Sequence, residues 1–145
     1  MRKMVDIDFG SSRYDELVNL RYKILLEPLG LKFLDYYRPK EASYLHIACI
    51  EQLDDKLLGG LILAPVDNEE IRLMQVVVDE DFQHKGVGHE MVQYALKRAK
   101  EVGYTRVVMH AMLSVVGFYE ELGFVQEGEL FDEGGITFAR MVKSI

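Results

Sequence analysis

The sequence predicts an α/β fold on a mixed β-sheet, and three observations lead there. Ile71 to Val102 reads as a buried strand (Ile71 to Val78), a tight loop (Asp79 to Lys85) and an amphipathic helix. Tyr104 to Ala111 is a second Val-rich strand, joined to the first by that helix. Two strands linked by a helical crossover run parallel, with right-handed connection. Tyr44 to Ile50 and Leu57 to Pro65 are apolar runs separated by a short turn, Gln52 to Lys56, and so predict an antiparallel pair.

Each element has its own local signal. Met4 to Phe9 alternates weakly and predicts a first strand. Ser11 and Ser12 offer an N-cap, with Ser12 and Asp15 spaced as a capping box. The helix that follows should span about Arg13 to Leu26, bury Tyr14, Leu17, Val18 and Ile24 or Leu25, and stop at Pro28 and Gly30. Gly59-Gly60 inside the third strand suggests a bulge or a close backbone approach. Asp67 to Glu70 is the next turn. In the central helix Met91, Val92, Ala95, Leu96, Ala99 and Val102 share one stripe, and Gly103 supplies a left-handed stop. A short helix around Gly117 has Ser114 as its expected N-cap, and Phe131 to Ile145 closes the sheet as a hairpin about Gly134-Gly135.

With 145 residues the chain predicts one domain, 1–145, large enough for a proper core. A net charge of −7 argues against a nucleic-acid partner and mildly favours a cationic substrate such as an amine. The single cysteine, Cys49, sits in an apolar run and reads as a buried strand residue in a reducing compartment. His46, with similar neighbours, reads as core packing. The opening residues lack a signal-peptide core and no run is long enough to span a membrane, so the expectation is cytoplasmic, without a membrane partner.

The chemistry gathers at the front of the central helix. Its first N–H groups lack intrahelical partners and carry the positive end of the dipole. Gly86 and Gly88 allow close approach of a ligand to that backbone, beside His84 and Lys85. Such a cap suits phosphate. A Walker loop fails for want of Gly-Lys-Ser/Thr, and a dinucleotide fingerprint fails because its third glycine position is Met91.

Gln83-His84-Lys85-Gly86-Val87-Gly88 instead resembles the Q/R-x-x-G-x-G/A signature of the GNAT superfamily of N-acetyltransferases, and Phe118-Tyr119-Glu120-Glu121-Leu122-Gly123-Phe124 resembles its F-Y-x-x-L-G-F block. The resemblance, firm over Ile71 to Phe124, is to a small single-domain member of bacterial type. It implies a strongly twisted sheet of six or seven strands, with splayed central parallel strands and about four flanking helices. It implies acetyl-CoA as cosubstrate, no metal, and a small-molecule or peptide amine as acceptor, attacked directly in a ternary complex. A homodimer is left open.

By the same resemblance, Gln83, His84, Lys85, Gly86, Val87, Gly88 and His89 hold the pyrophosphate. Val76 and Val78 bond the pantetheine arm, and the amide of Val76 or Val77 polarises the thioester carbonyl. Ser114, Phe118 and Tyr119 complete the coenzyme site, with Tyr119 protonating the departing thiolate; a tethered core tyrosine is the alternative. Tyr36, Tyr37, Arg38 and Gln75 are the expected acceptor contacts, against the plainer reading of the first three as loop residues packed on the core. Met112 stands where many relatives carry asparagine, so that contact is lost or moves to Ser114. The base is open. The central strand offers Arg72, Met74 and Gln75, while His110 has a suitable intrinsic pKa but also reads as an ordinary strand-end histidine. A coenzyme A-binding sensor without transfer activity is the alternative function.

Overall fold

The computed structural model describes residues 1–30 and 35–145, with side chains described for 1–30 and 39–145. One eight-stranded sheet runs in the order β1-β2-β3-β4-β5-β8-β6, with β7 paired to β8. The strands are β1 (Arg2–Ile7), β2 (Leu45–Glu51), β3 (Lys56–Pro65), β4 (Glu70–Val78), β5 (Arg106–Met112), β6 (Val125–Gln126), β7 (Phe131–Glu133) and β8 (Ile136–Ser144). Among the described strands only β4 and β5 run parallel. The count exceeds the expected six or seven because β6 is a two-residue segment, too short for any period to mark.

Helix α1 (Ser12–Arg21) and helix α2 (Val87–Glu101) cover opposite faces of the sheet, and α3 (Val116–Glu121) sits beside β5. Of the two serines offered as the cap of α1, Ser11 is the one, so the capping-box spacing of Ser12 and Asp15 is not used. Ser11 is extended, and its hydroxyl accepts from the Tyr14 amide at 3.1 Å, which sets the helix frame one residue earlier. Beyond Arg21 the helix widens into a π-turn, Tyr22–Leu26, and ends at left-handed Gly30. Tyr14, Leu17 and Val18 are buried as expected.

α2 buries Val87, Met91, Val92, Ala95 and Ala99 against Ile71, Leu73, Val107 and Met109. Each large apolar side chain so buried contributes roughly 1.5–3 kcal/mol. Val102 departs from the expected stripe: it is the C-cap, 46% exposed, where the helix unwinds into Gly103. Cys49 and His46 are core residues, and burial pushes the Cys49 thiol up to about 11.

Two irregularities shape the middle of the sheet. Gly59 and Gly60 permit a close approach: a Cβ on Gly59 would lie 2.5 Å from the Val77 carbonyl oxygen, and one on Gly60 2.4 Å from Leu17. Beside them β3 and β4 shift register between Gly60 and Ile62, and Gln75 takes φ +56°. The shift reverses the side-chain alternation of β4. Ile71 and Leu73 face α2 before it, Val76 and Val78 after it, and Val77 packs against Leu17 of α1.

Candidate active site

The parallel pair is short. β4 and β5 match only at Glu70/Arg106, Ile71/Val107 and Arg72/Val108, yet β4 continues to Val78 and β5 to Met112. The strands therefore splay beyond Arg72, leaving a gap in the sheet. Asp79 donates its amide to Leu58 on β3. Strand alternation then turns the amides of Val76 and Val78 toward the gap, and that of Val77 toward β3, where it faces Gly60.

The N-terminus of α2 opens beside this gap. Its cap residue, Gly86, has φ +83° and supplies no side-chain bond to the first amides. Among the described residues, the leading N–H groups of α2 receive no side-chain acceptor. Gly88 faces the gap: a Cβ there would lie 3.4 Å from Phe118 and 3.7 Å from Val78. The approach to the cap is a short 3₁₀ turn, Glu80–Phe82, and His84 in a left-handed conformation. His84 and Lys85 are exposed. Gln83 donates its side-chain amide to the Val78 carbonyl at 3.0 Å, so it ties the loop to the strand rather than projecting outward.

Arg2 was not legible as a site residue. From the edge strand it holds Glu90 in the first turn of α2 through two hydrogen bonds, at 2.9 and 3.0 Å, and donates to the Lys85 carbonyl at 2.9 Å. It thereby neutralises the one acid in that turn and fixes the loop. The contact spans 88 residues and rests on β1 lying along β2, with Arg2 opposite Glu51.

On the far side of the cap, Tyr119 is buried in α3, edge-on to Phe118 and Phe124 at 4.9 and 5.7 Å. Its hydroxyl makes no hydrogen bond to the described residues. Burial pushes its pKa up to about 12, well above the ordinary phenol. It is a firm proton holder at neutral pH and a reluctant donor of a whole proton. Ser114 is not the cap of α3. The chain first takes a 3₁₀ turn, Leu113–Val115, so Val115 occupies the cap position and Ser114 is exposed.

His110 accepts at Nδ1 from the Arg72 guanidinium at 2.9 Å. A guanidinium has donors only, so in the neutral ring Nε2 carries the proton. Burial, aided by the Arg72 charge, lowers the pKa of His110. The lone pair a base needs is engaged. Gln75 is exposed at the bulge, whereas the side chains of Tyr36, Tyr37 and Arg38 lie outside the described residues. Among the described residues no group of three His, Cys, Asp or Glu is placed to hold a metal, and no helix is long and apolar enough to cross a membrane.

The model of the acetyltransferase (GNAT) domain family matches residues 34–145, more than half of the chain and all of the parts of this site on β4, β5, α2 and α3. The chain belongs to the GNAT family. Membership gives the class of enzyme, an acetyl-CoA-dependent acetyltransferase domain. Human N-acetyltransferase 8B is 29% identical over 90 residues, which cover 57% of this chain and 40% of the human protein. In fold the chain is similar to an acyl-CoA N-acyltransferase from Pseudomonas aeruginosa (TM-score 0.83, 19% identity, 99% of both chains). It is also similar to a GNAT acetyltransferase from Elizabethkingia anophelis with acetyl-CoA bound (TM-score 0.76, 17% identity, 99% and 98% of the two chains). The splayed pair and the glycine-capped helix are features of this GNAT domain that the sequence resemblance implied.

Proposed function

We propose that this GNAT domain transfers the acetyl group of acetyl-CoA to a primary amine by direct attack within a ternary complex. The observation that carries the reading is a helix start without its own cap, opening on a sheet whose central strands part after three residue pairs. The pyrophosphate takes the amides at Gly86 to His89, with His84 and Lys85 beside it. The pantetheine arm lies along the gap-facing edge of β4 at Val76 and Val78, flanked by Phe118. The acetyl carbonyl receives the Val76 amide, since the Val77 amide turns to β3. A neutral amine adds to that carbonyl carbon. As the intermediate collapses, the carbon–sulfur bond breaks, the sulfur leaves with the electron pair, and the amine proton passes to water.

Tyr119 serves the sulfur. With its pKa pushed up to about 12 it stays protonated and offers a hydrogen bond to the developing thiolate. Thiols ordinarily ionise near 8.5, so complete transfer from the phenol runs uphill, and the hydrogen bond is its contribution. His110 does not act as base in this scheme, because Arg72 occupies its lone pair.

Thiol release from acetyl-CoA across a panel of primary amines tests the proposal. Release with at least one acceptor, first order in enzyme, is expected. One observation favours a second reading, a coenzyme A-binding sensor: β4 carries no carboxylate along the stretch that has parted from β5, residues 73–78. Acetyl-CoA binding without release on any amine would establish that reading instead.

A further inference from the structure

We infer that the acceptor carries a carboxylate as well as its amine, and that Arg72 holds that carboxylate on the open side of the gap. The inference rests on the acetyl-transfer reading above and names its substrate class. Arg2, Arg13, Arg21, Arg98, Arg106 and Arg140 each reach a carboxylate within 4 Å. Among the described arginines, Arg72 does not. Its Nε is buried without a hydrogen-bond partner, and its Nη2 rests on a neutral ring, that of His110. A guanidinium held by an imidazole keeps its full charge, and leaving one partly buried without a counter-ion is costly unless another molecule supplies it.

Position supports the same assignment. Arg72 is the last residue of β4 paired to β5, opposite Val108. Its guanidinium nevertheless meets His110, two residues farther along β5, so the side chain runs toward the widening end of the gap. Ile71, Leu73, Val107 and Met109 pack under α2, so Arg72 and His110 face the other side of the sheet. The coenzyme cap belongs to the α2 side, with Gly88 against Phe118 and Val78. An amine attacking a thioester that enters from the α2 side must come through the gap from the side Arg72 occupies. Glu133 lies 3.8 Å from His110 Nδ1, which adds an acid near the site suited to an ammonium group. A planar fork of donors matches a carboxylate in geometry as well as charge.

The test compares methionine, phenylalanine and glutamate with their α-carboxamides as acceptors. Each pair keeps the amine position and removes the α-charge. In the wild type, kcat/KM should favour the acid over its amide by roughly 10- to 100-fold, the range of a charge-assisted pair. Arg72→Gln should erase most of that ratio, chiefly through KM for the acid, with the amide reaction little changed; Arg72→Lys should restore part of it. Comparing ratios across variants cancels intrinsic amine reactivity, and thermal melting confirms folding. An acid-to-amide ratio that Arg72→Gln leaves undiminished would overturn the inference. Binding of N-acetylmethionine and N-acetylmethioninamide, followed by ligand-observed NMR with coenzyme A present, needs no turnover. If no amine is acetylated, transfer fails while this measurement still decides the carboxylate site: preference for the acid, lost in Arg72→Gln, sustains it, and equal binding refutes it.

Discussion

The two long helices begin in opposite ways. α1 fills its own N-terminus: the Ser11 hydroxyl takes the Tyr14 amide, and the helix is complete without help. α2 begins at a left-handed glycine that contributes no oxygen, although it is the longer helix and packs under the centre of the sheet. A capping side chain stabilises a helix by about 1 kcal/mol. α2 forgoes that contribution where Gly88, Phe118 and Val78 meet at the gap. One helix start serves stability, and the other is kept for a ligand.

The strongest way to break this contrast is to fill the second cap. Gly86→Glu places a bulky acid where φ is +83° and where only the Arg2 guanidinium comes near. Acetyl-CoA affinity should fall beyond about 100-fold by calorimetry, equivalent to roughly 3 kcal/mol. Unchanged affinity would mean that the bare amides are not the coenzyme site. Next in size, Tyr119→Phe separates holding the coenzyme from using it. Turnover should drop by about 10- to 100-fold, with the dissociation constant for acetyl-CoA nearly constant. A rate equal to that of the wild type would reduce Tyr119 to a core ring.

The first cap gives the converse result. Ser11→Ala should cost about 1 kcal/mol of stability, or about 2–4 °C in melting temperature, and leave coenzyme affinity intact. A loss of affinity there would show that the helices are not independent. The smallest effect concerns pH. His46 is buried, its Nε2 donates to the Glu41 carbonyl and its Nδ1 faces Arg21, and burial lowers its pKa. The unfolded ring takes a proton near 6.5, so the unfolded state binds more protons below that pH and stability falls with acidification. Above it the histidine contributes no slope. His46→Gln should flatten this acid limb in melting curves without abolishing it, because His110 is lowered too.

What could be read in the sequence was what repeats locally. The α2 stripe, the glycine pair at its start and the Gly134-Gly135 hairpin each show within a dozen residues. The sequence named Ser11 and Ser12 together as the cap and could not choose between them, because two adjacent serines satisfy the same pattern. β6 was missed because two residues define no period. The Arg2–Glu90 and Arg72–His110 contacts are set by strand register across 88 and 38 residues, which no local spacing encodes. The splay itself was legible only through family resemblance, since both strands continue past the point where their pairing stops.

The left-handed Gln75 acts as a phase slip within one strand. Upstream of it, odd-numbered side chains look toward α2; downstream, even-numbered ones do. Removing that single residue would join Met74 to Val76 in regular alternation, so Val76 and Val78 would keep their face toward α2 and Val77 its face toward α1, and only the irregularity in β4 would be lost. A one-residue deletion at this point should therefore spare the core packing of β4 and act on the shape of the strand beside the gap.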